Sequence, residues 1–401
     1  MGKIVIPEAS EFPITADLVV IGGGILGCAT AFYASRAGLD TILLEKREGL
    51  ACLTTSESAE AVRAQFDDPD NVVMMKASLE VFERFPEEIG IADYNIDFHQ
   101  QGYLFMTTAE DGPETLRARV ERQHGWGLPD VEYMDGDEVR RRFPYVSPEV
   151  TAATFRQKDG WLATHEATYG FAKGSTARIF LQTAAAGLQV DAQGIAAVET
   201  DRGIIHTRAV VDAAGPYCCQ VAGWAGVELP IAILRRQKSV VHSALIPQYA
   251  PMSIDLDTGA YWRPEAKGGL LGWAEAVPEK PARPADHVPA DWDFPAVVIE
   301  GCARLAPFWE EVIEHLTGED VHASAGQYSI TPDHKPVIGP VAGVPGLYLN
   351  VGYSGHGVMG APEGSRRLVE MVLGRLPPEE NPFRLERLAG MEHLEGEQMV
   401  I

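Results

Sequence analysis

A short run of glycines near the start of the chain is the first group of residues with an evident chemical use. Gly22, Gly24 and Gly27 form a GxGxxG pattern directly after the apolar run Asp17–Ile21. The first glycine permits a tight turn, the second lets backbone N–H groups approach a pyrophosphate, and the third lets a helix pack closely on a strand. The positive end of that helix would face the phosphates. The pattern therefore predicts a dinucleotide site.

An acidic residue lies at the distance expected of a ribose ligand. Glu45 ends the apolar run Thr41–Leu44, about twenty residues after the glycines, where a carboxylate can accept hydrogen bonds from ribose hydroxyls. The combination of strand, glycine turn, helix and acid is more specific than the glycines alone. Lys46 and Arg47 come next, so this motif by itself leaves open NAD, FAD and a 2′-phosphorylated dinucleotide.

Three further motifs occur in the second half of the chain. They are Val210–Pro216 (VVDAAGP), Thr331–Pro340 (TPDHKPVIGP) and Gly352–Pro362 (GYSGHGVMGAP). A strand that ends in small residues lets the backbone pass close to a flat cofactor. A glycine-rich turn that opens a helix offers a second positive helix end, which can stabilise an electron-rich group.

Regular elements around these motifs would hold them in place. Strand Asp17–Ile21, helix Leu26–Ala37 and strand Thr41–Leu44 form a βαβ unit. The alternation of apolar and polar residues in Leu181–Val211 predicts strands or hairpins. The apolar spacing in Ala296–Leu316 predicts one amphipathic helix.

Composition limits the classes of protein and of partner. The 401 residues favour two lobes, and the net charge of −24 disfavours nucleic acid and anionic membrane surfaces. We expect no membrane insertion and no signal peptide, because the chain has no long apolar run. The five cysteines form no CxxC pair and the histidines show no metal-ligand spacing, so we expect a reducing, cytoplasmic location and no metal.

The order of the four motifs resembles the D-amino-acid oxidase (DAO) superfamily of FAD-dependent oxidoreductases. Within it, the chain is similar to the sarcosine oxidase and sarcosine dehydrogenase branch, and Thr54–Phe66, Gln101–Phe105 and Gly259–Glu265 agree with that branch. The resemblance covers residues 15 to 376. It implies an α/β (α+β) fold with a Rossmann-like FAD-binding domain and a substrate domain on a mostly antiparallel β-sheet. The implied ranges are 1–80, 150–230 and 323–401 for the first domain, and 81–149 and 231–322 for the second.

Candidate site residues follow from the motifs and the resemblance together. The predicted cofactor-binding residues are Gly22, Gly24, Ile25, Leu26, Gly27, Glu45, Lys46, Thr55, Ser56, Ala214, Gly215, Pro216, Asp333, Gly355, His356, Gly357, Val358 and Met359. The predicted catalytic residues are Arg63, Tyr261, Arg263, Tyr328 and His356. Each of the latter has a plain alternative: a structural ion pair or a flavin phosphate contact for Arg63, an ion pair with Glu265 for Arg263, and core packing for the tyrosines. For His356 the alternatives are an acid–base role and a backbone contact with the flavin.

Several positions depart from the branch. Monomeric sarcosine oxidases tether FAD through a cysteine near the place of Gly326, so we expect non-covalent FAD. D-amino-acid and glycine oxidases carry a substrate-binding Arg at the position of Tyr328. Some sarcosine oxidases hold the substrate carboxylate with a Lys at the position of Met359. The Lys that promotes reaction with O2 is missing from Gly269–Gly272, and Lys267 is out of register.

The resemblance implies oxidation of the C–N bond of a small secondary or N-methyl amine or amino acid. A hydride equivalent would pass to flavin N5, and the imine would hydrolyse in water. O2 as acceptor would yield H2O2, whereas a sarcosine or proline dehydrogenase-like enzyme would pass electrons to a carrier or partner. An FAD monooxygenase and a non-catalytic flavoprotein subunit remain as alternatives of another class.

Overall fold

A computed structural model describes residues 2–273 and 281–391 of the chain. The strands, in chain order, are β1 (Lys3–Val5), β2 (Ile14–Thr15), β3 (Leu18–Ile21), β4 (Thr41–Leu44), β5 (Ala61–Val62), β6 (Tyr103–Thr107), β7 (Glu132–Asp135), β8 (Ala152–Arg156), β9 (Gly160–Trp161), β10 (Arg178–Phe180), β11 (Ala185–Asp191), β12 (Gly194–Thr200), β13 (Gly203–His206), β14 (Val210–Asp212), β15 (Ala232–His242), β16 (Met252–Asp255), β17 (Ala260–Glu265), β18 (Gly268–Trp273), β19 (Val321–Ile330), β20 (Val337–Pro340) and β21 (Leu347–Val351). The α-helices are α1 (Ile25–Arg36), α2 (Pro69–Glu83), α3 (Phe85–Ile89), α4 (Gly112–Gly125), α5 (Gly136–Arg142), α6 (Thr164–Gly174), α7 (Cys218–Gly223), α8 (Phe294–Ala303), α9 (Phe308–His315) and α10 (Gly357–Val372).

The fold has two halves, each built on one large sheet, and each half draws on several stretches of the chain. The sheet of the first half has seven strands in the order β1-β10-β4-β3-β14-β21-β20. Its described pairs are parallel except the last, β20 with β21. Every residue of β3 and β4 is buried, because helices α1, α6 and α10 cover one face and the small sheet β11-β12-β13-β2 covers the other. Continuous apolar runs are typical of such strands. The predicted βαβ unit is confirmed as β3, α1 and β4.

The second half is an eight-stranded sheet of order β19-β15-β18-β17-β16-β6-β8-β7. Its described pairs are antiparallel except β16 with β6, so the predicted mostly antiparallel sheet and the α/β (α+β) class are confirmed. One face packs on α8 and α9 through side chains such as Trp262, Leu271 and Trp309. Because side chains alternate along a strand, Tyr261 and Leu270 lie on the opposite face, toward the first half.

The prediction of one helix over Ala296–Leu316 is wrong. Helix α8 ends at Ala303 and α9 begins at Phe308, with Pro307 at the N-terminal boundary of α9. Proline lacks the N–H that an interior helical residue donates and its ring clashes with the preceding turn, so the apolar spacing continues through a break in the helix.

The domain boundaries stay a prediction, and two strands bear on them. Strand β8 belongs to the eight-stranded sheet although it falls in the range 150–230, and β19 belongs there although most of it falls in 323–401. Residues 1 and 392–401 lie outside the described residues. In the described ranges, none of the helices has the length and apolar character needed to cross a membrane.

Candidate functional site

A long cavity of about 280 Å³ runs along the carboxyl ends of the parallel strands. Its floor contains Ile21, Leu44, Ala213 and Val351, which end β3, β4, β14 and β21 or directly follow them. Ligands of open parallel sheets bind at this edge, where the strand order changes direction. The position of the cavity therefore agrees with the motifs that the sequence analysis singled out.

The glycine turn gives the cavity its tight corner. Gly22 has a φ of 115°, and a Cβ atom there would lie 2.5 Å from the carbonyl oxygen of Ala213. A Cβ atom on Gly27 would lie 1.9 Å from the carbonyl oxygen of Gly22. Only glycine fits either place, so α1 can begin directly beneath the cavity with its N–H groups directed into it.

Glu45 lies at the cavity wall in the position predicted for a ribose ligand. Its carboxylate accepts hydrogen bonds from the backbone N–H groups of Gly23 at 2.8 Å and Arg47 at 2.8 Å. Thr55 approaches the same turn and accepts from the backbone N–H of Ile25 at 3.3 Å. These contacts fix the carboxylate beside the pyrophosphate turn, as the binding of an adenosine ribose requires.

Most of the predicted cofactor-binding residues line this cavity. Those in the lining are Gly22, Gly24, Ile25, Leu26, Glu45, Lys46, Thr55, Ala214, Gly215, Pro216, Gly355, Gly357 and Val358. The described lining does not include Gly27, Ser56, Asp333, His356 and Met359. Asp333 instead pairs with Arg387 at 2.7 Å, and Met359 is buried in the hydrophobic core.

The far end of the cavity meets the N-terminus of α10. Gly352, Ser354, Gly355 and Gly357 line it there, next to Tyr328 of β19. Ser354 has a φ of 49° and its hydroxyl accepts from the N–H of Thr331 at 3.2 Å, which holds the turn against β19. The partial positive charge of a sixteen-residue helix is thereby directed at this end of the cavity.

Tyrosine and phenylalanine rings form a wall beside this end, on the sheet face that points toward the first half. This aromatic wall consists of Tyr103, Phe105, Tyr261 and Tyr328, and the rings of Tyr103 and Phe105 lie 5.6 Å apart. Tyr261 extends over Gly272, where any Cβ atom would collide with its ring. Burial raises the pKa of Tyr261 well above its ordinary value, and Tyr328 and Tyr103 raise it further. The hydroxyls therefore stay protonated at neutral pH.

Arg63 lies in the core between the two halves. Its guanidinium carbon is 3.9 Å from the centroid of the Phe66 ring and 5.3 Å from that of Phe105, which belongs to the aromatic wall. Its Nη1 donates to the carbonyl of Gln65. The side chain is 1 % exposed, so its charge acts in a region of low dielectric. A role in binding substrate stays a prediction.

Arg263 is held by carboxylates rather than left open toward the cavity. It donates to Glu60 at 3.0 Å and to Glu265, and its Nε donates to the carbonyl of Ala59 at 3.0 Å. The ion pair with Glu265 is the alternative that the sequence analysis gave. Glu60, which has a φ of 63° and lies in the loop between β4 and β5, therefore neutralises Arg263.

His356 is buried at the start of α10. Its ring meets the ring of Phe66 edge-on, with 4.9 Å between centroids, and neither ring nitrogen has a hydrogen-bond partner among the described residues. Burial lowers its pKa well below the ordinary value, and Arg63 and His334 lower it further. The imidazole is therefore neutral, which makes it a poor proton donor; an acid–base role stays a prediction.

Two groups near the site escaped the sequence analysis. Lys238 of β15 donates to the carbonyls of Ser56 at 2.9 Å and Ser58 at 3.0 Å, and burial lowers its pKa. Asp159 is fully buried and accepts from the N–H of Ala64 at 3.0 Å and from Gln65. Lys238 fixes the loop before Arg63, and Asp159 fixes the two residues that follow it.

The chain was also compared with known protein families and structures. Residues 17–371 match the profile of the DAO family, described as FAD dependent oxidoreductase. The chain belongs to this family. The predicted recognition is therefore confirmed, and the family is one of FAD-dependent oxidoreductases.

Named relatives include dehydrogenases of amino acids. The chain is 26 % identical over 375 residues to mouse mitochondrial sarcosine dehydrogenase, covering 89 % of this chain and 40 % of the relative. It is 27 % identical over 407 residues to bovine FAD-dependent oxidoreductase domain-containing protein 1, covering 90 % and 82 %. The crystal structure of L-proline dehydrogenase from P. horikoshii superimposes with a TM-score of 0.80 at 27 % identity, covering 94 % of this chain and 96 % of that one. The chain spans about two fifths of the length of sarcosine dehydrogenase.

Proposed function

We propose that this protein oxidises the C–N bond of a small secondary or N-methyl amine that carries a carboxylate. The observation that carries the proposal is the aromatic wall, of which Tyr328 lines the α10 end of the cavity, with the buried guanidinium of Arg63 next to Phe105. Sites for small ligands combine apolar walls with a few fixed polar groups. The family and the amino-acid dehydrogenases among the relatives point to the same reaction class.

The chain's own residues would bind, orient and desolvate the substrate. When bound, FAD supplies the two-electron acceptor for oxidation of the carbon next to the amine nitrogen. The aromatic wall excludes water and presents hydroxyls that stay protonated, while Arg63 supplies positive charge for a carboxylate. The N-terminus of α10 stabilises negative charge that develops at that end of the cavity. The neutral ring of His356 packs against Phe66 at the start of α10, and its two nitrogens are available for a hydrogen bond with a bound ligand.

Non-covalent attachment of FAD is part of the proposal. A Cβ atom on Gly326 would lie 2.7 Å from the Cβ atom of Glu57, so the strand offers neither a thiol nor room for one at that place. Acid precipitation should therefore release the flavin into the supernatant as FAD. Flavin that stays with the precipitated protein would contradict this part.

The identity of the electron acceptor distinguishes two forms of the proposed enzyme: an oxidase uses O2, and a dehydrogenase uses a carrier. In the stretch Gly269–Gly272, where the resemblance expects a lysine that promotes reaction with O2, Leu270 is buried against the aromatic wall, and Lys267 lies in an exposed turn. This arrangement favours a dehydrogenase that passes electrons to a carrier. Mixing reduced protein with O2 and following flavin reoxidation would distinguish the two: reoxidation within a turnover time supports the oxidase.

An anaerobic reduction screen tests the reaction class. Sarcosine, proline, N-methyl amino acids, iminodiacetate and D-amino acids are mixed with the holoprotein, and bleaching of the visible flavin band is recorded. We expect reduction by at least one secondary or N-methyl amino acid, with a weaker response to the matched amine that lacks the carboxylate. NADPH-dependent reduction with no response to any amine would instead favour a monooxygenase.

A further inference from the structure

We propose that a loop from the substrate half clasps the adenosine end of the FAD cavity through Asp286 and so slows FAD release. The loop, here called the strap, is residues 281–293, the described part of the connection between β18 and α8. The proposal rests on the FAD dependence of the family and not on the amine reaction.

Asp286 contacts three side chains of the cavity wall. Its carboxylate forms ion pairs with Lys46 and Arg47, each at 2.7 Å, and it accepts a hydrogen bond from the hydroxyl of Tyr217. The Lys46 amine also lies 3.7 Å from the centroid of the Tyr217 ring. Lys46, Arg47 and Tyr217 all line the cavity. Because Lys46 and Arg47 directly follow Glu45, the contact is at the ribose end.

The strap is anchored to strands of the eight-stranded sheet on both sides of Asp286. Asp286 itself contacts the wall of the cavity in the other half of the fold. The N–H of Ala282 donates to the carbonyl of Ile233 at 2.8 Å, and Gln327 bonds to both Ala285 and Arg283 at 2.8 and 2.9 Å. At its other end Asp291 forms an ion pair with Arg235 at 2.6 Å. These anchors lie on β15 and β19, so opening the ribose end requires Asp286 to leave its three partners.

The contact with Asp286 also neutralises positive charge at the ribose end of the cavity. Lys46 and Arg47 are the two cations that left a 2′-phosphorylated dinucleotide open from the sequence, and Asp286 engages both of them. A further phosphate on the ribose would have to compete with this carboxylate. The contact between Asp286 and the two cations, here called the clasp, therefore suits a cofactor whose ribose carries no further phosphate and is bound by Glu45.

The exposure of the paired side chains sets how much the clasp can slow FAD release. Asp286 is 64 % exposed and Lys46 37 %, so each ion pair is weak and is screened by salt. Three donors on one carboxylate act together, and we expect their loss to raise the rate of FAD dissociation between about threefold and tenfold. The rate for the unaltered protein should also rise with salt, whereas the rate for a variant without the carboxylate should not.

The test measures FAD dissociation from the holoprotein as the rise of free-FAD fluorescence after dilution, at low and high NaCl. The variants are Asp286→Ala, the milder Asp286→Asn, and Tyr217→Phe, which removes one donor but keeps the ring under Lys46. The matched control is Asp191→Asn, which removes an exposed ion pair with Arg208 at 2.8 Å in a hairpin outside the described cavity lining.

The clasp predicts faster release in the order Asp286→Ala, Asp286→Asn, Tyr217→Phe, with the Asp191→Asn rate equal to that of the unaltered protein. Rates for both Asp286 variants within twofold of the unaltered protein would overturn it, as would an equal acceleration in the control. Flavin that cannot be released at all would overturn it as well, without affecting the proposed amine oxidation. A holoprotein that releases FAD as described but oxidises no amine would leave the clasp standing and remove the proposed function.

Discussion

Arg263 of the eight-stranded sheet donates to the carboxylate of Glu60, 3.0 Å away, on the loop that leaves the nucleotide-binding half. The guanidinium is fully buried, and it is also paired with Glu265. The contact joins the two halves of the fold beside the aromatic wall. It explains why an acidic residue occurs in a loop that the resemblance places next to the flavin.

Removing this buried cation should weaken the fold. Arg263→Ala leaves two partly buried carboxylates without their shared cation, so we expect the free energy of unfolding to fall by roughly 1–3 kcal/mol. Urea denaturation followed by circular dichroism measures the loss. Arg366→Ala serves as control, because Arg366 is half exposed and its partner Glu363 keeps a second ion pair with Arg367, so the loss should be at most about 1 kcal/mol. A stable Arg263→Ala protein that had lost only substrate binding would instead identify Arg263 as a substrate ligand.

Arg63 should discriminate between charged and neutral amines. Arg63→Ala should raise the apparent KM of the carboxylate substrate by about tenfold or more, since a charge-assisted hydrogen bond contributes roughly 1.5–3 kcal/mol. An uncharged amine of the same shape should be affected much less. Arg63→Lys, which keeps the charge but not the planar fork, should lie between the two. Equal effects on both amines would leave Arg63 with a role in packing against Phe66 or in positioning the flavin.

Glu45 should govern FAD retention rather than turnover. Glu45→Ala removes the acceptor of two backbone N–H groups and the predicted ribose ligand, so FAD affinity should weaken by roughly 1–3 kcal/mol. Titration of apoprotein with FAD, followed by quenching of flavin fluorescence, gives the dissociation constant. Glu48→Ala is the matched control, because Glu48 is exposed and outside the described lining. Unchanged affinity in Glu45→Ala would show that Glu45 does not bind the ribose.

Asp212 should make stability decrease with rising pH. It is fully buried at the end of β14, and burial raises its pKa from an ordinary value of 3.8 to about 8. The folded state therefore keeps a proton that the unfolded state loses, so its stability falls as the pH rises from about 4 to about 8 and changes no further above that. Asp212→Asn removes the ionisation. The variant should be more stable than the unaltered protein at pH 9, and the difference should shrink toward pH 5.

Thermal or urea unfolding at pH 5, 7 and 9 measures this dependence. Asp191→Asn is again a suitable control, because Asp191 is exposed and its pKa is lowered by hydrogen bonds from Gln193 and Arg208. Parallel stability curves for Asp212→Asn and the unaltered protein across this range would mean that the Asp212 carboxyl is ionised in the fold.

The nucleotide-binding half was predictable because its signals are local. The apolar run before Gly22, the glycines themselves and Glu45 lie within about thirty residues, and each follows from backbone geometry that only particular residue types permit. The same reasoning found the turn at Gly355 and Gly357. It failed at Ala296–Leu316, where helical spacing continues across a break at Pro307.

The ion pair of Arg263 with Glu265 was among the alternatives given by the sequence, but the longer-range surroundings of the candidate catalytic residues were decided by tertiary structure. The sequence named both Arg63 and Arg263, yet one packs on an aromatic ring and the other is neutralised by Glu60, a residue about two hundred positions away. Asp286 meets Lys46 across a comparable separation. Pairing between distant side chains depends on how the two sheets face each other, and no periodicity or spacing along the chain encodes which charges meet there. The sequence therefore determined the fold class and the glycine-rich turns that line the cavity, and the packing of the two halves determined which charges are neutralised around it.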